Sequence, residues 1–282
     1  MDAVSLPEPS AGAVLRRWLQ PYRRLFVLTG AGCSTGSGIP DYRGADGAWK
    51  QRPPVTYQAF VQDPATRARY WARSFVGWPR IAQARPNPAH HALAAWQRHG
   101  RLAQLVTQNV DGLHQRAGSQ AVIDLHGRLD AVRCLDCGIH QPRTEVQAEL
   151  ARRNPDWLAK RAASAAPAPD GDAHLDGLDP RHAAIPTCPA CGGDLKPDVV
   201  FFGENVPRER VGAAQAALRG ADAMLVVGSS LMVYSGYRFA RMAHEAGLPL
   251  AVLTRGVSRA DALATLKLDA DCGATLTEAM AA

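Results

Sequence analysis

Residues 24–34 read RLFVLTGAGCS: a short apolar run, Arg24 to Thr29, that ends directly in the turn Gly30-Ala31-Gly32. An apolar strand running into a glycine turn is the usual opening of a parallel α/β sheet. Similar runs recur at Ala103–Thr107, Val122–Leu125, Ala223–Val227 and Pro249–Thr254. Between them lie stretches with apolar residues at helical spacing: Ala11–Gln20, Thr56–Phe75, Ala89–His99, Arg208–Arg219 and Gly236–Ala246. This alternation predicts an α/β fold built on a Rossmann-like, doubly wound parallel sheet.

Two CxxC pairs, Cys134/Cys137 and Cys188/Cys191, interrupt that pattern. Four thiolates fill the tetrahedral shell of one Zn²⁺ and leave no position for water, so a structural zinc is expected. The rival, a pair of redox CxxC motifs, is disfavoured because neither follows a thioredoxin-like strand. The 50 residues between the pairs are more than a compact zinc ribbon needs. The segment 132–196 is therefore expected to form a small zinc lobe, with residues 1–131 and 197–282 forming the domain of the parallel sheet. Its middle, Arg153–Pro186, is rich in Ala, Pro, Asp and Gly and reads as a long inserted loop.

The chain has 282 residues, 46% of them hydrophobic, enough for a substantial core and a lobe. No stretch approaches the ~18 apolar residues of a membrane span, and Asp2 and Glu8 interrupt any leader-like start, so the expected setting is the cytoplasm. Six cysteines, four in CxxC pairs, suit metal binding in a reducing compartment; Cys33 and Cys272 stand apart. The net charge of +6 is spread without a basic run of five or more, which argues against direct nucleic-acid binding.

The glycine turn lets backbone approach a phosphate closely, yet it also fits a plain tight turn. Thr35 stands where a dinucleotide fingerprint wants glycine, and the ribose-binding acid is missing. Ser37 to Gly44 forms a Gly/Pro-rich loop able to fold over a ligand. His126 follows the run Val122–Leu125, placing it at a strand's C-terminal end, where a neutral imidazole suits general-base work. Asn109 and Asp111 end the preceding strand; they face the same cleft or cap a helix.

Taken in order, GAGCS, GIPDYRG, TQNVD, LHG, the two CxxC pairs, KPDVVFFGE and GSSL make the chain resemble the sirtuin family of NAD-dependent protein deacylases, from about Leu25 to Gly273. The phrases YWAR (70–73), FVGWP (75–79) and VYSGYRF (233–239) look most like its class II branch, which has a mitochondrial animal member and many bacterial ones. The resemblance implies NAD as a consumed substrate and acyl-lysine proteins or peptides as partners. Gly30, Ala31, Gly32, Cys33 and Ser34 would receive the dinucleotide, with Ile39, Pro40, Asp41 and Arg43 on a covering loop. Gln108, Asn109, Val110 and Asp111 would line the nicotinamide and ribose pocket. Gly228, Ser229 and Ser230 would form a second phosphate and ribose turn, with Thr254, Arg255, Gly256 and Cys272 at the adenosine end. Thr254 stands where the family commonly has asparagine, and Gly36 where a larger polar residue is usual.

The implied reaction displaces nicotinamide with the acyl-lysine carbonyl oxygen. His126 then serves as general base on the ribose hydroxyls, assisted by Asn109 and Asp111, and the products are free lysine and O-acyl-ADP-ribose. The peptide would add as a strand along Val200, Phe201, Phe202 and Gly203, opposite the segment after Gly228. Tyr70 and Arg73, three apart on a helix, resemble a pair that reads acidic acyl groups, and imply a preference for longer or carboxylated chains over acetyl; a surface arginine is the other reading. The same cleft admits mono-ADP-ribosyl transfer or NAD hydrolysis. A non-catalytic NAD-sensing scaffold is a third possibility, against which the presence of Asn109, Asp111 and His126 argues.

Overall fold

A computed structural model describes residues 8–50, 54–156 and 183–281. The large sheet has six parallel strands: β1 (Leu25–Thr29), β2 (Leu102–Thr107), β3 (Ile123–Asp124), β7 (Ala223–Val227), β8 (Leu250–Leu253) and β9 (Leu266–Leu268). Their order is β3-β2-β1-β7-β8-β9. The chain builds outward from β1 in one direction, then crosses back and builds outward in the other. That reversal opens a crevice at the C-terminal ends of β2, β1 and β7. Thr29 is in register with both Thr107 and Val227, so the segments starting at Gly30, Gln108 and Gly228 leave the sheet at one level.

β1, β7 and β8 are buried at every residue, as strands covered on both faces must be. On one face pack α1 (Ala11–Leu19), α4 (Pro88–Arg98) and the C-terminal α9 (Cys272–Met280). α7 (Arg208–Arg219) and α8 (Tyr234–Glu245) cover the other. Side chains of Ser10, Asn87 and Asp271 cap the N-termini of α1, α4 and α9.

The helix expected over Thr56–Phe75 is two helices, α2 (Tyr57–Gln62) and α3 (Pro64–Gln83). Pro64 holds Asp63 in an extended conformation, and the Asp63 carboxylate caps Ala65 and Thr66. α3 then runs eight residues beyond the expected end.

A second, antiparallel sheet has the order β5-β4-β6, from β4 (Gly127–Cys134), β5 (His140–Pro142) and β6 (Leu195–Val199), and α6 (Arg143–Arg153) packs on it. Its core is not confined to the cysteine segment. Phe60, Tyr70, Trp71 and Phe75 of α2 and α3 share one apolar cluster with Val132, Cys134, Leu150 and Leu195. The Trp71 indole donates to Leu195 O at 3.1 Å. The sequence reading left α2 and α3 with the nucleotide-binding part; their apolar faces are buried against the cysteine sheet instead. Most of the expected Arg153–Pro186 loop, residues 157–182, lies outside the described residues. Its ends meet at Asn154, whose side chain bonds Ala184 N at 2.9 Å and Ala184 O at 3.1 Å.

Candidate active site

The four sulfurs of Cys134, Cys137, Cys188 and Cys191 lie within 4.8 Å of one another. The Cys134–Cys191 pair is 3.5 Å apart and the Cys137–Cys188 pair 3.7 Å. Backbone N–H groups of Cys137 and Gly193 point at Cys134 Sγ and Cys191 Sγ. The Cys137 N–H is the main cause that draws the Cys134 thiol down to about 7, whereas, against the pull of the Ile139 and Gly193 N–H groups, the neighbouring sulfurs hold Cys137 and Cys191 above the ordinary thiol value. Four soft donors with no other chemistry beside them fit a closed, structural zinc.

The cavity lies between the two sheets and encloses about 350 Å³. Its floor is formed by two glycine turns pressed together. Gly32 N donates to Gly228 O at 2.8 Å, and a Cβ on Gly228 would sit 2.2 Å from Cys33 N, so only glycine fits there. Gly228 also has φ +62. Gly30, Ala31, Gly32, Asp41 and Arg43 line the cavity on one side and Gly228, Ser229, Ser230, Thr254 and Arg255 on another. Arg43 stacks over Trp49 at 4.1 Å and donates to Gly47 O, which folds the loop on itself; Asp41 pairs with Lys50. Tyr42 and Trp49 rest edge-on against Phe202, joining this loop to the small lobe.

Asn109 is pinned by its amide, which donates to Gly30 O and Ser34 Oγ at 3.0 Å each. Ser34 in turn donates to Asp111 Oδ2 at 2.7 Å, while Asp111 Oδ1 accepts Leu113 N at 2.9 Å; the N-cap of the short helix Leu113–Arg116 is Gly112, so neither Asn109 nor Asp111 takes that place. Burial raises the Asp111 carboxyl above its ordinary value. Behind Ser34 sits the buried His90, which burial holds neutral at about 2.

His126 stands on the cavity wall with both nitrogens engaged: Nδ1 is 3.0 Å from Gln108 O and Nε2 is 2.8 Å from Ser235 Oγ. Burial, together with Arg210 and Arg238, lowers the ring to about 4, against the opposing pull of the Gln108 carbonyl. The imidazole is therefore neutral at physiological pH.

Other expected residues fall in three places. Gln108, Val110, Val200, Phe201, Phe202, Gly203 and Tyr70 line the cavity. Cys33, Ser34, Ile39 and Cys272 are buried beside it, and Pro40, Asp111 and Gly256 are not among its described lining. Arg73 likewise lies off the described wall, so Tyr70 and Arg73 are not brought together there. The sequence reading gave no role to Ser235 or Arg238, which also line the cavity. Their i,i+3 spacing at the start of a helix following GSSL was the available signal.

A two-lobed α/β architecture with a glycine-turn crevice, a four-cysteine cluster and a histidine between the lobes defines a nucleotide-dependent enzyme class. Residues 30–235 match the Sir2 family. The chain is 61% identical to an "NAD-dependent protein deacetylase" of Xanthomonas campestris pv. campestris (strain 8004), over 94% of this chain and 89% of that one. It is 48% identical to the human "NAD-dependent protein lipoamidase sirtuin-4, mitochondrial", over 95% and 86%. A solved structure described as "Sir2-p53 peptide-NAD+" superposes with a TM-score of 0.73 at 31% identity, covering 95% of this chain and 96% of that one. The chain belongs to the Sir2 family.

Proposed function

We propose that this protein is an NAD-dependent protein lysine deacylase that releases nicotinamide and O-acyl-ADP-ribose. The observation that carries the reading is His126: a neutral imidazole on the wall of the same cavity as both glycine turns and Asn109. High-identity relatives named as deacetylases support it, as do related structures described with a peptide and NAD.

NAD is a substrate in this account, received by Gly30–Gly32 and Gly228–Ser230. Asn109, fixed by Gly30 O and Ser34, orients the ribose and water; Asp111, fixed by Ser34 and Leu113, hydrogen-bonds the carboxamide of the leaving nicotinamide. His126 Nε2 takes the proton from a ribose hydroxyl, while Gln108 O holds the Nδ1–H. The aromatic loop of Tyr42 and Trp49 excludes water, which would otherwise divert the reaction to NAD hydrolysis. The peptide lies between Val200–Gly203 and the segment after Gly228, with its acyl chain against Tyr70 and Phe201. That apolar, aromatic wall favours acyl groups longer than acetyl. Zinc, when bound to the four cysteines, cross-links the small lobe and supplies no chemistry at the cavity. The reduced thiolate cluster suits a reducing compartment such as the cytoplasm.

The test is product analysis with labelled NAD and acetyl-, butanoyl- and glutaryl-lysine peptides. The parent should yield O-acyl-ADP-ribose, most rapidly from an acyl chain longer than acetyl, and His126→Ala should lose at least about 100-fold of this turnover. Unchanged turnover in the variant removes His126 from the chemistry. ADP-ribose attached to protein as the main product would favour the transferase reading, and acetyl turned over fastest would remove the longer-chain preference.

A further inference from the structure

The second ring nitrogen of His126 has a partner that the reaction as described leaves unused. A carbonyl oxygen only accepts, so Gln108 O at 3.0 Å places the ring proton on Nδ1. Nε2 then carries the lone pair, and Ser235 Oγ, 2.8 Å away, must donate to it. Ser235 is the second residue of α8, and the packing around it fixes its place. A Cβ on the next residue, Gly236, would lie 2.3 Å from Gln108 Oε1, so the first turn of α8 is seated directly on Gln108. The Gln108 amide also donates to Ser229 Oγ at 2.8 Å, tying the second glycine turn to the same residue. One side chain and its backbone thus align both partners of the imidazole.

We propose that Ser235 is a positioning residue for the base: its hydroxyl holds the Nε2 lone pair until the ribose hydroxyl displaces it, so that the ring whose tautomer Gln108 O sets is also kept in one plane. The proposal rests on His126 being the general base. A nucleophilic role for Ser235 is not required, since its proton stays on oxygen throughout.

The consequence is measurable at the Nε2 lone pair. When the hydroxyl is removed, Gln108 O still accepts from Nδ1–H, so the tautomer is kept while Nε2 loses its donor and the ring its second anchor. Burial, with Arg210 of α7 and Arg238 of α8, keeps the ring neutral with or without the hydroxyl, against the pull of the Gln108 carbonyl.

The experiment compares parent, Ser235→Ala, Ser235→Thr and His126→Ala full-length proteins. Nitrogen-15 NMR of the imidazole reads the tautomer and the hydrogen bonding of Nε2 in the absence of substrate, and kcat/KM is followed beside it. In Ser235→Ala the Nδ1–H tautomer should persist, the Nε2 resonance should move downfield as its donor is lost, and kcat/KM should fall by about three- to tenfold. Ser235→Thr should restore the parent's Nε2 resonance and rate. An Ala variant with the parent's Nε2 resonance and rate overturns the proposal, as does a Thr variant that behaves like Ala. The two layers separate cleanly: turnover surviving in His126→Ala sinks the base itself, whereas an inert His126→Ala beside an unmoved Nε2 resonance in Ser235→Ala sinks only the role of Ser235.

Discussion

Gly127 shows how a missing side chain aims a neighbouring one. It follows His126 directly, has φ +79, and passes so close to β6 that a Cβ would meet Asp198 O at 2.0 Å. Only glycine lets the chain turn at that point, enter the small sheet opposite Val199, and still present the imidazole to the cavity. Gly127→Ala should therefore cost about 2–4 kcal/mol of stability and most of the activity, because both the left-handed backbone and the strand contact are violated. Urea titration and turnover check this together; a variant of parental stability and rate would contradict the close approach. The Leu-His-Gly sequence made His126 legible because it ends a strand. Ser235 was not legible, since its role depends on the start of α8 meeting a residue 109 positions earlier in the chain. For Arg73, helical spacing puts it three residues from Tyr70 but does not say which flank of the helix faces the cavity, and of the two only Tyr70 is on the described wall.

Among the elements, the cysteine hairpins and α3 stand or fall together. Cys134 ends β4 and shares its apolar cluster with Trp71 and Phe75, so zinc bound there would hold the packing of a whole lobe without touching substrate. Chelation, or Cys188→Ala, is expected to lower the melting temperature by several degrees or more and to change the emission of Trp71, with activity lost in parallel. Thermal unfolding and fluorescence with and without chelator read this directly; a chelated protein of unchanged melting temperature would argue against a structural metal. The metal pairing was readable because CxxC spacing is local. The three-stranded sheet was not, since β4 pairs with β6 across the long inserted segment. The break between α2 and α3 was present in the sequence as Asp63-Pro64; the apolar periodicity runs through it and conceals it.

For the molecule as a whole, the reversal of strand order around β1 does the organising. It sends three segments out of the sheet at one level and leaves the small lobe to close the opposite wall, with His126 on the wall of the cavity between them. The alternation of apolar runs and helical stretches made the large sheet readable. β9, at the far edge, and α9, packed on α1 and α4, were missed because Leu266–Leu268 is too short to register as a strand and the C-terminal helix carries little charge to set off its apolar face. Coupling follows from the shared cavity: cleavage of the bond to nicotinamide and removal of the acyl group belong to one turnover. The most direct measurement is the ratio of nicotinamide released to lysine freed, with NAD and an acyl-lysine peptide both saturating. One nicotinamide per lysine is the result predicted here. Lysine freed without NAD, or nicotinamide released equally fast without peptide, would contradict it.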